Sequence, residues 1–136
     1  MGRVIHFEIQ AEQPERAAKF YREVFGWKIE EMTVPGVEIK EENRYWVVTT
    51  GKEKEPGING GILLRQGPPL TEGQPVNAYV CTIGVASLEK SVNKALKAGA
   101  TIALPEMPVK GIGWLAYCKD TECNIFGMLQ EDKNAA

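Results

Sequence analysis

The chain has 136 residues, of which 43% are hydrophobic and 25% charged, and a formal net charge of −2. That length suits one compact domain, or two small halves sharing a core. The mildly acidic balance gives no basic footprint, which argues against a nucleic-acid partner, and no apolar run approaches the length of a membrane span. The opening "MGRVIHFEIQ" lacks the charged-then-apolar pattern of a signal peptide, and His6 stands where a myristoylation signal wants Ser or Thr. The expected location is the cytoplasm. Three cysteines, an odd number, argue against a disulfide framework. Cys81 and Cys118 read as small core residues and Cys123 as a loop thiol.

"VIHFEIQ" opens the chain as an alternating strand, with Phe7 and Ile9 on one face and His6, Glu8 and Gln10 on the other. A helix follows. Pro14 suits its first position and Glu15 complements its dipole, while Ala17, Ala18, Tyr21, Val24 and Phe25 fall near one face and Gly26 marks the stop. Three strand-like stretches come next, "WKIEEMTV", "RYWVVTTG" and "NGGILLR", separated by Gly, Pro and Asn. "GKEKEP" and "EIKEEN" between them read as solvated turns. After the Pro/Gly-rich "QGPPLTEGQP" the pattern starts again. "AYVCTIGV" is a strand, with Val80 and Thr82 facing away from Tyr79, Cys81 and Ile83. Ser87 and Glu89 start a second helix, which stops at Gly99. "TIALPEMPV", "GWLAYCK" and "NIFGMLQ" close the chain, and the polar "EDKNAA" reads as a frayed tail.

"HFEIQAEQPERAAKFYREVFGWKI" lies over "VCTIGVASLEKSVNKALKAGATI" without a gap at an offset of 74 residues, so that Ile9 meets Ile83 and Glu15 meets Glu89. Each half is a βαβββ module. The predicted organisation is a first module over 1–68, a linker over 69–75, a second module over 76–131 and a tail over 132–136, forming one structural domain. The fold class is α+β, with eight strands around a curved, open, barrel-like cleft and the two main helices outside. Half a chain of this length is too small to bury a core alone. With Phe7 and Ile9 under the helix, the polar row His6, Glu8 and Gln10 points into the cleft, which suits a solvated pocket better than a dry core.

The duplicated layout, "HFEI" before "ERAAKFYREVFGW", and the closing "GWLAYCKDTECNIFGMLQ" resemble the vicinal oxygen chelate superfamily. Glyoxalase I, bleomycin-resistance proteins and extradiol dioxygenases belong to it, and the similarity is greatest to small bacterial glyoxalase-like proteins. The closing run looks like the superfamily's Asp-Pro-x-Gly-Asn turn: Asp120 and Asn124 match, while Thr121 and Cys123 replace the Pro and Gly. The resemblance implies a homodimer. It also implies four inward metal-ligand positions, on the first and last strand of each module. These fall at His6, Val80, about Gly61 and Gly127. A divalent site of the usual kind needs three good ligands, and only His6 qualifies, so no metal cofactor is expected. Glyoxalase chemistry further needs a carboxylate base near the metal, which Gly127 cannot supply.

In the cleft, His6 and Glu8 are the candidate acid–base pair, about 7 Å apart at their Cα atoms as i, i+2 neighbours on a strand. A plainly structural histidine is the competing reading. Gln10, Tyr45, Thr82, Trp114 and Tyr117 are the candidate ligand-binding residues, Trp114 foremost because the flexible "KGIG" precedes it; packing is the alternative for the aromatics. Three functions follow. The first is a metal-independent binder of a small organic molecule, with a deep apolar cleft. The second is a lyase or isomerase working through His6 and Glu8 or through an atypical metal. The third is a non-catalytic protein acting through a protein partner, which would leave a large apolar patch exposed.

Overall fold

The computed structural model describes every residue except 72, 76 and 77. Residue 72 of the predicted linker and the first two residues of the predicted second module therefore lie outside the described residues. Eight strands and two main helices follow one another as expected: β1 Val4–Ala11, α1 Pro14–Phe25, β2 Lys28–Glu31, β3 Tyr45–Thr49, β4 Asn59–Leu64, β5 Val80–Gly84, α2 Leu88–Lys97, β6 Thr101–Val109, β7 Gly113–Lys119 and β8 Ile125–Glu131. The chain divides into two compact units, His6–Tyr79 and Met1–Ile5 with Val80–Ala136. The first five residues thus join the second unit. They do so through backbone bonds: Gly2 N–H donates to Gly84 O at 2.7 Å, and Gly84 N–H donates to Arg3 O at 2.9 Å.

In the His6–Tyr79 unit the strands lie in the order β2-β3-β4-β1, the first two pairings antiparallel and β4 with β1 parallel. Pro14 opens α1, and Gly26 ends it in the left-handed region at φ 71°, its N–H returning to Arg22 O. Gly tolerates that conformation without a Cβ penalty. The face toward α1 is the core, made by Phe7, Ile9, Ala18, Ile29, Trp46, Val48 and Ile62. Tyr21 stacks on Trp27 at 4.8 Å and Phe7 on Tyr79 at 5.2 Å. Phe20, Val24 and Phe25 stay exposed on α1. Arg44 ties the outer strands together, reaching Glu31 through two 2.8 Å bonds and lying 4.7 Å over the Trp46 ring.

In the other unit the order is β5-β8-β7-β6, with β5 and β8 parallel and the remaining pairs antiparallel. Ser87 caps α2 as predicted, its Oγ accepting from Lys90 N–H at 3.3 Å. A second cap was not foreseen: Gln130 Oε1 accepts from Leu88 N–H at 2.8 Å, so the closing strand holds the start of the helix. Val85, Leu88, Ala116, Cys118 and Met128 form the core beneath α2. The tail is not frayed. Asp132 N–H donates to Ile112 O, Gly111 N–H donates to Ala135 O, and Ala135 is 3% exposed. A run with polar side chains is held here by its backbone, which composition does not register. Among the described residues no helix is long and apolar enough to cross a membrane.

Candidate functional site

Strand alternation sorts each unit into a face toward its helix and a face away from it. In the His6–Tyr79 unit, register places His6 opposite Asn59, Glu8 opposite Gly61 and Gln10 opposite Leu63. The antiparallel pairing then adds Val47 beside Gly61 and Tyr45 beside Leu63. His6, Glu8, Gln10, Tyr45 and Gly61 therefore share the face away from α1. As expected, this face is polar.

The central contact on this face joins His6 Nε2 and the Tyr45 hydroxyl at 2.8 Å. Burial holds the His6 imidazole below its ordinary pKa, and the nearby Glu8 carboxylate offsets this only in part. A ring neutral near pH 7 follows, able to accept a proton at one nitrogen. Gln10 is committed to the local backbone: its Oε1 accepts from Gln66 N–H at 3.3 Å, and its carbonyl accepts from Arg65 at 2.8 Å. Arg65 is anchored in turn by Glu12 at 2.6 Å.

Tyr45 lies next to the position that the resemblance assigns to a last-strand metal ligand. Gly61 has no room for a side chain, because a Cβ there would overlap the Tyr45 ring and hydroxyl. The other unit makes an equivalent arrangement by a different route. Thr82 pairs with Gly127 across β5 and β8, and Tyr117 pairs with Gly127 across β7 and β8. A Cβ on Gly127 would lie 2.9 Å from Thr82 Oγ1 and 3.1 Å from Tyr117 Cε1. Thr82 is buried at 3% exposure. Leu104, Leu115 and Leu129 share this face with Tyr117 by register, so it is the more apolar of the two.

Trp114 is not brought to Tyr117. The two residues fall on opposite faces of β7. Trp114 packs against the core beneath α2, and its indole N–H donates to Asp132 Oδ2 at 3.1 Å. Flexible glycines precede Trp114, but it lies three positions from Tyr117 on the strand, and alternation sends it toward the helix. A cavity of about 170 Å³ does occur on this helix side, between α2 and the outer strands, bounded by Leu88, Val92, Ile102 and Ala116 among others. None of the predicted site residues lines it.

The residues do not fit the divalent metal that the family implies. Of the four positions, His6 alone carries a donor, and Val80, Gly61 and Gly127 carry none. Both glycines are roofed by other side chains. Among the described residues no three His, Cys, Asp or Glu side chains converge as a metal group would need.

Residues 3–37 match the family described as bleomycin resistance protein-like, N-terminal. Among curated proteins no sequence matches significantly. Solved structures match over the whole chain. A hypothetical protein from Bacillus halodurans C-125 superposes with a TM-score of 0.66 at 14% identity, covering 99% of this chain and 98% of that one. Methylmalonyl-CoA epimerase from Streptomyces coelicolor, in complex with 2-nitronate-propionyl-CoA, gives 0.65 at 13% identity over 100% and 99%. The epimerase from Mycobacterium tuberculosis gives 0.62 at 12% identity over 96% and 88%. At these identities the structural likeness is one of fold. The fold is that of the glyoxalase and bleomycin-resistance proteins, and over residues 3–37 the sequence is similar to the bleomycin resistance protein-like N-terminal family.

Proposed function

We propose that this glyoxalase-like protein binds a small organic molecule on the face of the His6–Tyr79 unit that carries His6, Glu8 and Tyr45, without the superfamily's usual divalent metal. The observation that carries this reading is the 2.8 Å contact between His6 and Tyr45 on the strand face away from α1. A half-buried imidazole bonded to a phenol carries a desolvation cost, and a side chain perturbed in this way beside a charged neighbour is a functional-site candidate. The pair offers a ligand one donor and one acceptor next to a carboxylate. The test is a thermal-shift screen of small ketones, amides, phenols and acyl thioesters. A hit is expected to raise Tm in the wild type and to lose that shift in His6→Ala. A hit that stabilises both proteins equally would place binding elsewhere.

A second reading has a specific observation behind it. His6 is held neutral near pH 7, and in the tautomer whose Nε2–H donates to the Tyr45 oxygen its Nδ1 is left as the acceptor that a general base adjacent to a carbonyl carbon requires. Two of the fold neighbours are epimerases. In this reading the chain is an isomerase or lyase in which His6 moves the proton and Glu8 tunes it. Incubation with methylmalonyl-CoA in heavy water, followed by NMR of the proton alpha to the thioester, discriminates the two. Exchange that is lost in His6→Ala supports the enzyme, and no exchange above the uncatalysed rate supports the binder.

A further inference from the structure

The two units reach the same end by different residues. Where the superfamily pattern has a ligand side chain on the last strand of a module, each unit has a glycine and lays a tyrosine over it, Tyr45 over Gly61 and Tyr117, with Thr82, over Gly127. Loss of a metal ligand by drift would leave an open gap for water. Here the volume is filled in both units. In the His6–Tyr79 unit the replacement goes further, because the same phenol that covers Gly61 also reaches the single candidate ligand, His6 Nε2. A metal binds imidazole through a nitrogen lone pair. A hydroxyl donating to that nitrogen occupies the same lone pair.

We infer that Tyr45 is a cap on the vestigial metal position: it fills the seat above Gly61 and donates its phenolic proton to His6 Nε2, so that the position presents a hydrogen-bonding handle in place of a Lewis acid. The ligand class follows from the handle. A molecule bound here engages the Tyr45 oxygen and the imidazole edge through single hydrogen bonds, and has no need of the paired oxygens that chelate a metal. This deepens the binding reading above and rests on it for the ligand, but the cap itself fails separately. A face that takes no small molecule would remove the reading and leave the cap intact, whereas a metal on His6 would remove the cap.

His6 is the only histidine in the chain, so its imidazole resonances are unambiguous by NMR. The experiment is a titration of the untagged wild type and of Tyr45→Phe with nickel(II), whose unpaired electrons broaden the protons of any imidazole it binds. The wild-type resonance is expected to survive one equivalent of nickel(II). In Tyr45→Phe, which keeps the ring over Gly61 but uncovers Nε2, broadening is expected at several-fold lower nickel(II) than in the wild type. Stoichiometric broadening of the wild type would overturn the inference, as would identical responses of the two proteins. The wild-type arm stands without the variant.

Discussion

Gly61→Ala is the substitution whose outcome depends most directly on the packing described. The new Cβ would fall within the Tyr45 ring and hydroxyl, while the ring is held by its bond to His6. Replacing a strand glycine by alanine would otherwise stabilise the fold by about 0.5–1 kcal/mol through lost chain entropy. Against this, moving the ring costs about 1–3 kcal/mol in strained packing. Breaking the His6 contact costs roughly a further 0.5–1.5 kcal/mol. The expected net effect is a destabilisation of about 1–3 kcal/mol. In a Tyr45→Ala background the clash is gone, and the same substitution becomes neutral or slightly stabilising. The coupling between the two sites is then about 2 kcal/mol, near the upper part of the range for contacting residues. Urea denaturation of the four proteins of the cycle measures it, and that coupling corresponds to a midpoint difference of about 1–2 M. Gly60→Ala is the control. Its Cβ would meet the Phe7 main-chain carbonyl, so removing Tyr45 gives no relief. A Gly61→Ala cost that is the same with and without Tyr45 would refute the packing argument.

Three other outcomes are expected. The His6 pKa is lowered on folding, so the unfolded chain binds more protons there between the lowered folded value and about 6.5. Stability is therefore fully present above about pH 6.5 and falls as pH drops toward the folded value; unfolding free energies across that window should flatten in His6→Gln. Cys123 holds a left-handed backbone at φ 66° where the superfamily turn has glycine. Cys123→Gly should raise stability by about 1 kcal/mol, read as a higher Tm. Gln130→Ala leaves Leu88 N–H without its acceptor and should cost about 1–3 kcal/mol in urea denaturation.

Much of the fold is legible in the sequence because its signals are local. Alternation in "VIHFEIQ" and the stops at Gly26 and Gly99 need no partner to be read. The offset of 74 residues carried the duplication. Alternation sets Tyr45 against Trp46 without saying which faces away from the helix, and applied from Tyr117 back to Trp114 it separates those two onto opposite faces. What sequence could not carry is distance. Tyr45 and Gly61 lie sixteen residues apart, and their overlap depends on the pairing of β3 with β4. Gln130 and Leu88 meet only once β8 lies under α2. The membership of Met1–Ile5 in the second unit depends on two backbone bonds to β5, which no side-chain pattern announces.

The central claim is that this fold works here through His6, Glu8 and Tyr45 and not through a metal. Elemental analysis of untagged protein, purified without chelator, tests it most directly. The account predicts well below one transition metal per chain. Near-stoichiometric zinc, nickel, manganese or iron would contradict it and would require ligands other than the ones at His6, Val80, Gly61 and Gly127.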